Sequence, residues 1–327
     1  MFKKLIKSTV VSLSVLGFAS VVNAETLKFA HVYEVDHALH KAAMMAAKDI
    51  SEKTDGRIDI KIYPASQLGK ETALNEALNL GTVDMIYTGN GFAGNTYGPI
   101  SLTSYPFTLR GVEHWKNYKE SALFDDLAAG YSKATGGMAQ VITLSYYGQR
   151  QVTANKPILT PKDMEGLKIR VPNAPAFVLF PKEVGANPTP MAFAEVYLAL
   201  QQGVVDAQEN PLTTIKAKKF YEVQSNINLT GHITDSILTV MSTYKLNKLS
   251  KEDQKIVIDS LKTSANWATE QVVNAEAELV AWFRGKGITV NEVDRTPFIK
   301  AVAPALNKGN LPFTSEQYKR LQAIKGN

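Results

Sequence analysis

Past residue 24 the chain switches repeatedly between two hydrophobic periods. Leu27-Lys-Phe-Ala-His-Val-Tyr33 alternates as a strand does, whereas Leu39 to Lys53 carries Ala43, Ala47 and Ile50 at helical spacing and stops before Gly56. Ile58-Asp-Ile-Lys-Ile-Tyr63 returns to period two. A second helix is predicted over about Glu71 to Leu80, ending at Gly81, and Val83-Asp-Met-Ile-Tyr87 reads as the next strand. The order β-α-β-α-β implies an α/β unit whose helices cover a largely parallel sheet.

A second unit of the same construction is indicated by an internal echo. Ala77-Leu-Asn-Leu-Gly-Thr-Val-Asp84 returns as Ala199-Leu-Gln-Gln-Gly-Val-Val-Asp206, and in both a helix halts at a glycine before a short strand. Chance likeness of two helix-to-strand junctions explains the echo equally well. From Ser250 to Lys286 runs a nearly proline-free helical pattern with Ile256, Ile258, Leu261, Ala265, Ala268, Val272, Val273, Ala277, Leu279, Val280 and Trp282. A helix of that length spans roughly 50 Å, enough to bridge two units, and its apolar stripe is core packing. The expected architecture is α/β, with two lobes facing one cleft and a long helix spanning both. Residues 25–147 with about 236–275 form the first lobe, and 148–235 with about 276–327 the second.

The first residues look like an export signal. Lys3, Lys4 and Lys7 precede an apolar stretch from Thr9 to Val22, and Val22-Asn-Ala24 offers small residues for cleavage, giving a signal peptide over 1–24. An uncleaved anchor is the rival, weakened by Ser12, Ser14, Gly17 and Ser20. No cysteine occurs, which excludes a lipid anchor on cysteine and leaves an exported chain to rely on its own cores. There are 36 Lys and Arg against 31 Asp and Glu, and setting aside the three leader lysines leaves 33 against 31. These charges are interleaved along the chain, which argues against a nucleic-acid partner.

Candidate chemistry concentrates after residue 147. Leu167-Lys-Ile-Arg-Val-Pro-Asn173, Asn187-Pro-Thr-Pro-Met-Ala-Phe193 and Gln208-Glu-Asn-Pro211 place Arg170, Asn173, Glu209 and Asn210 where a β-rich segment changes direction, and Tyr147-Gly-Gln-Arg-Gln151 adds Arg150. A guanidinium with amides around it suits a carboxylate, although solvated charges or structural ion pairs account for two arginines as well. His31, His37 and His40 with Glu34 and Asp36 lack a common zinc spacing and read as solvent-facing or capping, so no metal or cofactor is called for. There is no Gly-x-Ser-x-Gly elbow and no cysteine nucleophile, which weighs against an exported hydrolase.

The motifs Arg170-Val-Pro-Asn173, Pro188-Thr-Pro-Met-Ala-Phe193-Ala-Glu-Val-Tyr197, Asp206-Ala-Gln-Glu-Asn-Pro211 and Lys219-Phe-Tyr-Glu-Val223, with Tyr63-Pro-Ala-Ser-Gln-Leu-Gly69 upstream, resemble the solute-binding proteins of tripartite ATP-independent periplasmic (TRAP) transporters across essentially the whole mature chain. The resemblance implies a periplasmic protein, expected to act as a monomer, that captures an organic acid and delivers it to membrane-embedded permease subunits. Arg170 matches the arginine that pairs with the ligand carboxylate, and Arg150 a second, assisting one. Asn173 and Asn210 match hydrogen-bonding positions, and Phe193 an aromatic wall. In the first lobe His31, Val32, Tyr33 and Glu34, then Glu71, then Tyr87 to Asn90 match pocket loops; for Glu71 a helix N-terminal role competes. The second-lobe motifs most resemble the sialic-acid-binding branch, yet Gly89 and Phe92 stand where that branch has an acid and an arginine. A smaller sugar acid, a hexuronate or aldonate, is therefore expected. Sialate, an exported sugar-acid enzyme and a sensor's ligand-binding protein are the alternatives.

Overall fold

A computed structural model describes residues 24–308 and 310–326, so the expected signal peptide, apart from Ala24, lies outside the described residues. The strands are β1 (Glu25–Ala30), β2 (Ile58–Tyr63), β3 (Met85–Gly89), β4 (Ala139–Ala154), β5 (Lys168–Val171), β6 (Asn187–Pro190), β7 (Ala207–Pro211), β8 (Asn226–Ser242) and β9 (Thr289–Glu292). They form one sheet in the order β2-β1-β3-β8-β4-β7-β5-β6, with β9 alongside β8. β1 pairs in parallel with β2 and β3, and β5 in parallel with β6 and β7. The long strands β8 and β4 are antiparallel to each other and to their flanking neighbours β3 and β7. Each lobe is thus three parallel strands closed by two antiparallel ones.

The echo corresponds to one local structure built twice. In the first lobe the Thr82 N–H donates to the Ala77 carbonyl at 2.9 Å, and Asp84 both donates its N–H to the Lys28 carbonyl at 3.0 Å and accepts the Lys28 N–H on its carboxylate at 2.8 Å. In the second, Val204 donates to Ala199 at 2.9 Å, and Asp206 repeats the double bond with Lys168 at 2.8 and 3.0 Å. Gly81 and Gly203 hold φ of +71° and +69°, the left-handed cap conformation that a side chain resists. This fold-back explains why β3 begins at Met85, two residues later than the alternation implied.

The long helix covers Lys251–Gly285, 35 residues and about 52 Å. Ser250 caps it, accepting the Asp253 N–H at 3.0 Å. Its buried stripe runs Val257, Leu261, Ala265, Ala268, Val272, Leu279, Phe283, while Ile256 and Ile258 are only half-buried, so the face is set by the residue between them. The helix packs on the helix Ala38–Lys53 and β4, then on the helix Leu212–Ala217 and β9, and so spans both lobes. Three segments, from β4, β8 and the long helix, meet at one level. Gly148 of β4 stands opposite Asp235 of β8, and Glu276 of the helix accepts the Gln149 N–H at 2.6 Å and the Tyr146 hydroxyl at 2.8 Å. No helix among the described residues is long and apolar enough to cross a membrane.

Candidate ligand-binding site

A cavity of about 240 Å³ lies between the lobes where the carboxyl ends of β1, β3 and β5 converge. Of the residues singled out from sequence, Val32, Tyr33, Glu71, Gly89, Phe92, Arg150, Arg170, Asn173, Phe193 and Asn210 line it.

Arg170 sits in β5, 2% exposed. Parallel pairing with β6 brings Met191 alongside, and the Arg170 Nε and Nη2 donate to the Met191 carbonyl at 3.1 and 2.7 Å. Nη1 is buried without any hydrogen-bond partner among the described residues. No carboxylate among the described residues is paired with this guanidinium, and burial draws its pKa down to about 10. The Phe193 ring stands 6.0 Å from the guanidinium carbon. A buried cation with an open donor is costly until an anion meets it.

Arg150 differs, although both arginines reach the cavity. Its Nε and Nη2 engage both carboxylate oxygens of Glu209, Nη1 donates to Asp235 at 2.8 Å, and Nη2 also meets the Asn210 Oδ1 at 3.2 Å. Glu209 accepts further from His232 at 3.1 Å, and His232 stacks on Phe180 at 4.1 Å. Burial opposes the charge on Glu209, but the Arg150 guanidinium beside it holds its carboxyl below the usual range. Arg150 is therefore a partner already held by two protein carboxylates, unlike the assisting cation expected for the ligand, and Glu209 lies behind it, off the cavity wall. Asn210 is braced by Arg150 and by a 2.7 Å bond to Gln208. Asn173 is exposed at the rim.

The first lobe contributes Tyr33 and Glu71. Glu71 opens the helix Glu71–Asn79, and its Oε1 accepts the Gly89 N–H at 2.7 Å and the Thr88 hydroxyl at 3.3 Å. Phe193 begins the corresponding helical turn of the second lobe at the offset of the echo, so equivalent positions present an acid and an aromatic ring. Four other expected residues do not reach the wall. His31 is fully buried behind Tyr33, accepting its N–H at 3.2 Å and meeting His40 at 3.2 Å, and burial lowers its pKa to about 3. His31 is thus not solvent-facing; His37 does cap its helix, accepting the Leu39 N–H. Tyr87 packs under Phe29 at 4.7 Å, and Asn90 donates to Thr103 at 2.9 Å inside the lobe. Glu34 pairs with Lys218 at 2.7 Å, and with Lys70–Glu195 at 2.5 Å it ties the two lobes at the mouth; such partly exposed pairs are worth little individually.

Asp235, Tyr147 and Phe177 line the cavity and were not anticipated. Asp235 was detectable as the lone charge in the run Ile233 to Met241, whose other members are apolar residues, serine and threonine, since a charge there requires a buried partner. Phe177, of the second lobe, lies 4.8 Å from the Arg150 guanidinium and fills the space above Gly91 of the first, where a Cβ would fall 2.5 Å from its ring. Gly91→Ala should therefore hold the lobes apart and weaken ligand affinity by about 5- to 150-fold, the scale of one to three kcal/mol of overpacking, with little loss of melting temperature. Calorimetry beside a thermal melt checks this; unchanged affinity would show that Phe177 yields.

Residues 29–310 match the family model described as bacterial extracellular solute-binding protein, family 7. The sialic acid-binding periplasmic protein SiaP of Vibrio cholerae is 35% identical over 92% of this chain and 94% of its own. The 2,3-diketo-L-gulonate-binding periplasmic protein YiaO of Escherichia coli is 32% identical over 91% and 92%. A TRAP periplasmic solute-binding protein of Roseobacter denitrificans, solved with bound L-galactonate, superposes with a TM-score of 0.85 at 33% identity, covering 91% of this chain and 98% of that one.

Proposed function

Because the chain belongs to the bacterial extracellular solute-binding protein family 7, we propose that it captures a sugar acid between its lobes in the periplasm and delivers it to the membrane-embedded permease of a TRAP transporter. The observation that carries the ligand class is the unpartnered, buried Nη1 of Arg170, which a carboxylate satisfies with a charge-assisted bond. Asn210, the Phe193 ring and Tyr33 then meet the hydroxyls and apolar face of the ligand. Arg150 acts indirectly, holding Asn210 and closing the charge balance of Glu209 and Asp235. The lobes divide at the level of Gly148, Asp235 and Glu276, so that residues 25–147 with about 236–275 move against 148–235 with about 276–327 when the acid binds. Binding proteins of transporters hold their ligand without transforming it, and the relatives named above are of that kind.

Size supports a short acid. The cavity lies below the roughly 300–1,000 Å³ usual for small-molecule sites, which suits a hexuronate or aldonate better than nine-carbon sialate. Gly89, with its N–H held by Glu71, and Phe92 also offer sialate's extra polar groups nothing. A thermal-shift and competition series with glucuronate, galacturonate, gluconate, sialate and glucose should place a six-carbon acid at least tenfold ahead of sialate. Sialate binding tightest would sink the size argument, and glucose equal to glucuronate would sink the carboxylate.

A further inference from the structure

The two lobes face the cavity with opposite chemistry. The second offers one open cationic donor, Arg170 Nη1. The first offers Glu71, whose Oε1 holds the Gly89 N–H and the Thr88 hydroxyl, while no hydrogen bond from a described residue reaches its Oε2. We infer that Glu71 is the residue that sets specificity against a second carboxylate, so that the site takes a monocarboxylate with hydroxyls at its far end and refuses the matching dicarboxylate. This rests on the Arg170 reading above.

A ligand hydroxyl has a proton to donate to Oε2, and a carboxylate has none. Two carboxylates brought together in a partly desolvated cavity share the site only if one is protonated. No other free cation among the described residues is at hand. Arg150 is held by Glu209 and Asp235, and Lys70, next in the chain, is paired with Glu195 at the mouth. The other charged and titratable groups around Glu71 are Arg170 of β5, Asp235 of β8, and Tyr33 and Tyr147. Burial already raises the Glu71 carboxyl to about 7 against the pull of Gly89 and Thr88. Above that pH a bound dicarboxylate must bring a proton to Glu71, at a tenfold loss of affinity per pH unit.

Galactonate and galactarate differ only in a terminal hydroxymethyl against a carboxylate, as do gluconate and glucarate. Calorimetric titration of both pairs at pH 6 and pH 8.5 should show the full-length mature protein preferring the aldonate by about thirtyfold or more at pH 8.5, with the preference shrinking about thirtyfold at pH 6. In Glu71→Gln, and in Glu71→Ala should the first variant melt early, the dicarboxylate should bind within threefold of the aldonate with no pH dependence. Equal binding of the two acids by the wild type at pH 8.5 overturns the inference, as does a preference that survives both variants and ignores pH, which marks a steric wall. Absence of binding by all four acids overturns it together with the sugar-acid reading. Galactonate binding that persists in Arg170→Ala removes the Arg170 reading and, with it, the placement of the ligand's far end at Glu71.

Discussion

Arg170→Ala should abolish ligand capture and leave the fold intact. The guanidinium is buried, its only hydrogen bonds run to the Met191 carbonyl, and Nη1 has no partner among the described residues, so the free protein loses little when it is removed. The complex loses a charge-assisted pair and strands the ligand carboxylate in a desolvated cavity, which costs on the order of 2–5 kcal/mol, or about 30- to 4,000-fold in affinity. Calorimetry with the tightest acid of the series and circular dichroism of the free variant measure the two halves separately. Affinity within threefold of wild type would take Arg170 out of the site.

Glu209→Leu should do the reverse and strike stability first. It strips Arg150 of its two-oxygen partner and His232 of its acceptor in a fully buried cluster, leaving Asp235 as the sole neutralising group. Breaking such a pair from one side costs about 3–5 kcal/mol, a fall of roughly 5–8 °C in melting temperature for a chain of this size. The pH dependence has a definite sign. Because the folded Glu209 carboxyl lies below its ordinary value, its contribution is present above the unfolded carboxylate pKa and is lost as pH falls through the folded one. The wild type should therefore converge on the variant in melts carried from pH 7 towards strongly acid conditions. A gap that stays constant with pH would assign the loss to packing rather than to charge.

The elements were legible in the sequence where burial is one-sided. Ile58 to Tyr63 alternates because Ile58 and Ile60 face the core while Asp59 and Lys61 face water, and the echo marked both helix-to-strand junctions because each needs a left-handed glycine. The single sheet was not legible, since β4 and β8 are buried along nearly their whole length and carry no alternation to mark where one lobe yields to the other. The same limit applied to the site. Arg170 stood out by its motif, but nothing along the chain distinguished its open donor from the satisfied guanidinium of Arg150, because that difference lies in Glu209 and Asp235, 59 and 85 residues away. His31 and Asn90 follow strands as pocket residues do, yet His31 turns back against Tyr33 and His40, and Asn90 against Thr103.

The position of β8 between β3 and β4 sets when this protein can fold. The first lobe's three parallel strands are made from residues 25–89, but their sheet gains its fourth strand only when residues 226–242 arrive, and the long helix that packs on Ala38–Lys53 and β4 comes only after residue 251. Most of the chain must therefore be synthesised, and, if it is exported through a narrow channel, threaded across, before either core closes. Late, long-range closure of this kind slows folding and keeps the nascent chain extended, which is the state a secretion channel requires.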